Sequence, residues 1–511
     1  MKKGQMQRTP RRGEPQRRVF LSFLLCVSAP LRESFFGCGQ RPCCAPLRLK
    51  SFIVVFLMAI LAADTSFAQT SWEMTPYKID ILVAIEQQAE LSGHTASDLL
   101  AGLAQRIDAV VGPMWKVSVR RAEPELRWRM LQSLDRLTTN IITPEQLSLD
   151  KVLLVGIRTA PGRFVVEARD FDCRTRRWSS TQTVSVRQTL ALSDSLFRAL
   201  CKAFTPIAKI QSDAEKGILL NARASGILPS DPELVWLRTG DVMIPILRRN
   251  DRDGNPKKNG IQEVPWTFLV VGDVRTPGEM TCQVHSGTRN PLNIRRRGRI
   301  EQLAIAVNTS ESPTRLLLRS RTEPSVVLTG YEVYTSRPGE KKTRFVGLTE
   351  RDGGIWLAPD DQVLHILFVK NGGQLLARLP VVPGLTAEAV APIPNDEPRL
   401  QVEGSLKGLR MSMVDLVARR EILMTRIRRK LMEGDHEVAE NYFDQLVQLP
   451  TRKPFTQQVD QLRTSSDSRD PRVQAQIDRM FIDTRNLLAK FLDPQQISDL
   501  RTEMIRAKRG G

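Results

Sequence analysis

Histidine and cysteine are scarce in this chain, and the partners missing around them exclude several kinds of chemistry. Its 511 residues include four histidines, His94, His285, His365 and His436. His436-Glu437-Val438-Ala439-Glu440 starts like a zincin helix, but a glutamate stands where the second histidine must ligate. Without that ligand the tetrahedral site is not built. Asp251-Arg252-Asp253-Gly254-Asn255 has the first half of a calcium loop, yet Pro256-Lys257-Lys258 puts positive charge where ligands belong and no bidentate glutamate follows. There is no G-x-S-x-G elbow and no glycine-rich phosphate loop. His285 lies close to Cys282, a proximity that reads as coincidence at a strand end. No cofactor, metal or catalytic residue is therefore expected.

Four of the seven cysteines, Cys26, Cys38, Cys43 and Cys44, fall in the first 50 residues. Cys173, Cys201 and Cys282 are too few for a disulfide framework and are expected to be buried and unpaired. Cys173 and Cys201 would pair only if the helix carrying the second folds back on the strand carrying the first.

No apolar run reaches the roughly 20 residues that span a bilayer. The run Ser51 to Ala63 follows Leu49 and Lys50 and precedes Thr65-Ser66-Phe67-Ala68. A basic flank, a short apolar core and a small-x-small site make a signal peptide, with cleavage expected after Ala68. The mature chain, from Gln69, is then exported, periplasmic or extracellular, without a transmembrane span. Residues 1–47 are odd in front of such a signal. They fit a start codon placed too early, the true one lying near Leu47 or Leu49. The other reading is a weaker signal of their own, with Arg8, Arg11, Arg12, Arg17 and Arg18 before Val19 to Ala29.

What is present is positive charge. The chain carries +19, and residues 1–68 hold eleven basic against three acidic side chains, which leaves +11 for the mature part. Such a balance points to a polyanion. For an exported protein, acidic polysaccharide or lipid is the natural one and nucleic acid is not expected. Arg295, Arg296, Arg297 and Arg299 form the dense cluster, a candidate polyanion contact, with no interleaved aromatics to stack single strands.

Texture divides the rest into a multidomain α+β chain. Residues 69–212 read as an α+β lobe: strands Tyr77 to Ile85 and Trp115 to Arg121, a helix capped by Thr95 and another opened by Pro124, then the hairpin Lys151 to Asp172 through Ala160-Pro161-Gly162, a further strand Arg177 to Arg187 and the helix Thr189 to Phe204. Residues 213–321 read as a small barrel or sandwich with strands at Glu233 to Leu237, Val242 to Arg249, Trp266 to Val274, Gly278 to His285, Ile300 to Val307 and Thr314 to Arg319. Residues 322–390 read as a second, smaller sandwich. Within it Leu348-Thr349-Glu350-Arg351-Asp352-Gly353-Gly354-Ile355-Trp356-Leu357 resembles the T-x-x-D-G-x-x-x-L hairpin of carboxypeptidase-regulatory-like, transthyretin-type modules. The resemblance covers 323–385, with Asn371-Gly372-Gly373 in place of the family's usual Gly-Tyr, and implies a non-catalytic spacer or binding unit.

Ala391 to Pro398, with three prolines, reads as an extended linker. Residues 399–511 read as a helical bundle: a helix capped by Ser412 and stopped by Gly434, one capped by Asp435, and one opened by Asp470-Pro471. The expected function is an exported, non-enzymatic binding or scaffold protein of the cell envelope. The alternatives are a hydrolase of an extracellular polymer, with Asp170 and Asp172 the first acids to test, and a polyanion-binding envelope protein.

Overall fold

A computed structural model describes residues 72–87, 93–213, 217–276, 278–289, 291–292 and 299–509, all within one compact unit running from Thr65 to Gly511. The signal segment and Arg295 to Arg297 lie outside the described residues. The fold is the multidomain α+β arrangement expected from sequence.

The lobe is one sheet with helices on both faces. Strands β1 (Tyr77–Ile85), β2 (Trp115–Arg121) and β3 (Lys151–Ala160) run parallel in the order β2-β1-β3, and β4 (Arg163–Asp172) continues antiparallel. The short β5 (Arg177–Trp178) and β6 (Gln182–Val186) both pair with β4. Alternation sorts β1 between two cores. Ile79, Ile81, Val83 and Ile85 meet Leu99, Leu103 and Ile107 of α1 (Gly93–Val110) and Leu196 and Leu200 of α3 (Leu192–Ala203). Leu82 and Ala84 meet Met130 of α2 (Pro124–Gln132) on the other face. Asp80 shares that second face and is kept satisfied by Arg120 (2.7 and 3.1 Å) and Gln146 (2.9 Å).

A closed six-stranded barrel follows. β7 (Ile207–Asp213), β8 (Gly217–Ala222), β9 (Val242–Asn250), β11 (Thr267–Thr276), β12 (Glu279–Ser286) and β13 (Ile300–Ala306) close in the order β9-β11-β12-β8-β7-β13, with β13 returning to β9 and β10 (Pro256–Glu263) added outside β9. Closure removes the edges that an open sheet would expose. Met243, Leu269, Met280 and Ala304 fill the interior. Two strands cross the segment boundaries read from sequence: β7 begins before residue 213, and β14 (Thr314–Ser320) pairs into the following module. Glu233 to Leu237, read as a strand, is irregular and belongs to the long connection from β8 to β9.

That module is a sandwich. One sheet is β17 (Gly354–Leu357), β14 and β20 (Glu388–Ile393). The other is β16 (Arg344–Leu348), β15 (Glu332–Ser336), β18 (His365–Asn371) and β19 (Gln374–Val381). Leu316, Leu318 and Ile393 of the first face Val333, Leu367 and Val369 of the second. Gly353 in the linking hairpin has φ +75°, and a Cβ there would stand 2.7 Å from the Leu318 carbonyl. Only glycine fits that turn.

Ala391 to Pro398 is not a spacer. β20 pairs in parallel with β14 through Ile393, and Ala391 and Ile393 are fully buried. Pro392 is tolerated because β20 is an edge strand, where a missing N–H costs no ladder bond. The helix then starts at once: α4 spans Glu397–Met432, fifteen residues earlier than the Ser412 cap read from sequence. Asp396 is fully buried and holds Arg399 through Nε (2.8 Å) and Nη2 (2.7 Å), while its own N–H donates to Tyr331 Oη of the sandwich (2.9 Å). Arg399 Nη2 also donates to the Asn371 carbonyl (3.2 Å). The helices α5 (His436–Gln448), α6 (Arg452–Thr464), α7 (Pro471–Phe491) and α8 (Gln495–Arg509) pack on α4. Asp435 and Asp470 cap as expected, accepting from Val438 N and Arg472 N. Among the described residues no helix is long and apolar enough to cross a membrane.

Candidate functional site at the lobe and barrel seam

The seam is built from one face of the lobe sheet. Lys151 opens β3 directly opposite Asp172 of β4, and Asp170 lies two residues along on the same face. All three side chains are fully buried. Lys151 Nζ stands 2.8 Å from Asp170 Oδ2 and 3.0 Å from Asp172 Oδ2, and donates to the Thr205 carbonyl at 2.6 Å. Asp170 Oδ2 further accepts from Thr205 N (2.9 Å) and Oγ1 (2.6 Å), and Asp172 Oδ1 from Thr175 N (2.7 Å). Burial pulls the Lys151 ammonium down, but the two carboxylates outweigh it and hold the group above its ordinary pKa. Asp170 and Asp172, the acids suited on sequence to a hydrolase, are thus the counterions of a buried lysine. Neither lines the crevice under the connection from β8 to β9.

Beside this knot stand four aromatic rings. Phe204, just past α3, packs edge-on to Tyr77 at 5.2 Å and lies 4.7 Å from Trp115 and 4.6 Å from Trp236. Trp115 and Trp236 stack at 5.1 Å with their planes 16° apart. Trp236 comes from the connection 223–241, which is tied to the lobe by Asp231 N donating to Val110 O (2.9 Å) and to the barrel by Gly240 N donating to Val271 O (2.8 Å). Irregular connections of this length in compact domains are commonly functional.

Under that connection lies a crevice of about 220 Å³. Met114, Leu234, Trp236 and Met280 line it, with Tyr77, Arg223 and Ser225 as its polar side chains. Leu228, Val235 and Val274, also lining it, are exposed. The buried indole N–H of Trp236 has no acceptor, and neither has that of Trp115. Arg223 is engaged, Nη2 donating to Asp150 Oδ2 (2.6 Å) and to the Pro76 carbonyl (3.2 Å), while its buried Nε has no partner. A largely apolar crevice with a few polar groups has the make-up of a ligand or active site.

The other groups noted in the sequence are placed apart from it. Arg299 is exposed, its Nη1 donating to the Asp251 carbonyl (3.0 Å). Asp251 Oδ1 accepts from Asp253 N and Asn255 N, both at 2.9 Å, so the half calcium loop spends its first carboxylate on its own turn. Cys173, Cys201 and Cys282 are free, and burial pushes each thiol up to about 12. Cys282 and His285, three apart on one strand, point to opposite faces and cannot act as a pair. Among the described residues no group of three or more metal-binding side chains gathers.

Sequence reasoning missed a string in the sandwich: Thr335 Oγ1 stands 3.2 Å from His365 Nδ1, and His365 Nε2 stands 3.0 Å from Asp360 Oδ1. The Thr335 hydroxyl and the imidazole are both buried, so the string fastens β15 to β18 and the loop before it.

No family model matches the chain, and no curated protein matches it significantly. Among solved structures, TolB from Acinetobacter baumannii aligns with 61% of this chain and 96% of its own at 11% identity and a TM-score of 0.17. A PelC L103M dodecamer from Paraburkholderia phytofirmans aligns with 24% of this chain and 87% of its own at 18% identity and 0.14. Lipoprotein GNA1162 from Neisseria meningitidis aligns with 22% and 81% at 15% identity and 0.14. Likenesses at these scores carry no argument about this chain.

Proposed function

We propose that the chain is an exported, non-enzymatic binding or scaffold protein of the cell envelope, and that its seam crevice receives an apolar side chain of a partner protein. The observation that carries this reading is the exposed trio Leu228, Val235 and Val274 at a crevice otherwise lined by Met114, Leu234 and Trp236. A partner's apolar side chain seated there takes those three side chains out of water. The signal-like segment ending at Ala68 supports export. The module over residues 323–385 is read, on its Asp352-Gly353 hairpin, as a transthyretin-type spacer that holds the barrel and the helical arm apart.

Capture from envelope extract tests the reading. The chain should retain a defined protein through a high-salt wash, because apolar contacts are not screened. Val235→Asp, at an exposed position, should lose it while folding normally. Retention of polysaccharide or lipid that salt removes would favour the polyanion alternative instead.

A further inference from the structure

The outer wall of the barrel changes character along its length. Residues two apart on a strand share a face, so Ile207 and Lys209 of β7, Ile244, Ile246 and Arg248 of β9, and Glu301, Leu303 and Ile305 of β13 all look towards the lobe. The aliphatic members join the lobe core. Lys209, Arg248 and Glu301 form the rim, with Arg248 directly opposite Glu301, and Lys209, opposite Leu303, diagonal to it.

The lobe meets this rim with more positive charge. Arg174, in the turn after β4, donates from Nη2 to both oxygens of Glu301 (2.9 and 3.0 Å), which uses up the one carboxylate in the row. Arg174, Lys209 and Arg223 all stand over the single indole of Trp72, at 4.9, 4.5 and 5.1 Å. Lys209 has that ring contact and no ion pair among the described residues, and Arg248 donates only to the Asn250 side chain and the Gly254 carbonyl. The buried Nε of Arg174 has no partner.

We propose that Arg174, Lys209 and Arg248 form a binding site for a phosphate group at the rim of the seam. A dianion offers several charged oxygens to two guanidinium forks and an ammonium, and a single carboxylate offers two. Glu301 alone does not balance the arrangement: burial and then Arg174 push both Lys209 and Arg248 below their ordinary pKa values, and Glu301 offsets this only in part. Trp72 screens one side of the cluster and supplies cation–π contact. The site does not use the crevice, so Val235→Asp should leave phosphate binding unchanged.

Thermal unfolding of the purified chain in inorganic phosphate, against sodium chloride of equal ionic strength, is the test. Phosphate should raise the midpoint and chloride should not. Lys209→Gln and Arg248→Gln should each weaken the apparent phosphate affinity about tenfold, the loss of one charge-assisted hydrogen bond, whereas Lys209→Arg should keep it. Without phosphate, Lys209→Gln should be as stable as the parent or more so, since it removes a disfavoured charge. Flotation with phosphatidylcholine vesicles, with and without phosphatidic acid, separates a lipid headgroup from free phosphate as the source. An equal response to chloride, an unchanged response in both glutamine variants, or a Lys209→Gln chain destabilised without phosphate as much as with it would overturn the proposal.

Discussion

Replacing Lys151 with methionine is expected to cost about 3–5 kcal/mol, because two buried carboxylates lose their counterion and nothing else in the knot carries positive charge. For a unit of this size that is a fall of about 3–5 °C in the unfolding midpoint, measurable by tryptophan fluorescence. Asp170→Asn and Asp172→Asn added to Lys151→Met should recover much of it, since the amides carry no charge to bury. The pH dependence fixes the sign. Lys151 has a raised pKa in the folded state, so its stabilisation is fully present below the unfolded lysine value of about 10.4 and is lost as pH rises through the folded value. Burial raises Asp170, so a chain lacking Lys151 should regain stability as pH falls and that carboxyl takes a proton. The gap between variant and parent should therefore narrow on acidification. A gap that widens would mean the carboxylates are not what the lysine neutralises.

Arg399→Met is expected to be nearly as severe, about 3 kcal/mol, but its effect is on geometry as well as stability. Asp396 and Arg399 bolt α4 to Tyr331 and Asn371 of the sandwich, and among the described residues Asp396 has no other ion pair. Without the guanidinium the start of α4 should fray and the helical arm should move away from the sandwich. Small-angle scattering should report a larger radius of gyration, and limited trypsin digestion a new cut at Lys407 or Arg410, the first tryptic sites of α4 left in the variant. Glu403→Gln, which removes a half-exposed partner of the same arginine, should cost less than about 1 kcal/mol and leave the scattering unchanged. An unchanged radius in Arg399→Met would show that other contacts fix the arm.

The same residues show what the sequence made legible. Apolar alternation marked β1 to β4 because each strand meets a core on one or both faces, and the Asp-capped starts of α5 and α7 were visible because capping is local. Barrel closure was not, since it rests on pairing between β13 and the distant β7 and β9, and β7 carries Lys209 and Gln211 on a pattern that reads as loop. Prolines disguised β20 as a linker, because an edge strand tolerates what a central strand forbids. Gly404 and Gly408, where an added Cβ would meet nothing, hid the first turns of α4 by lowering helix propensity where docking to the sandwich supplies the stability. Of the candidate site, Tyr77, Trp115 and Phe204 fell within elements read from sequence, but Trp236 was assigned to a strand that does not form. Lys151 gave one usable signal: a lysine at the start of a hairpin whose far end carries two aspartates.

The central claim is that the seam crevice is a docking site, and a photo-crosslinking side chain introduced at Val235 tests it most directly. Irradiation of envelope extract containing the variant should give one discrete protein adduct, weakened by Trp236→Phe, which cuts back the indole that lines the crevice. The same crosslinker at Trp128, exposed on the lobe's far helix, should give none of it. No adduct at Val235, or an identical adduct from both positions, would contradict the account.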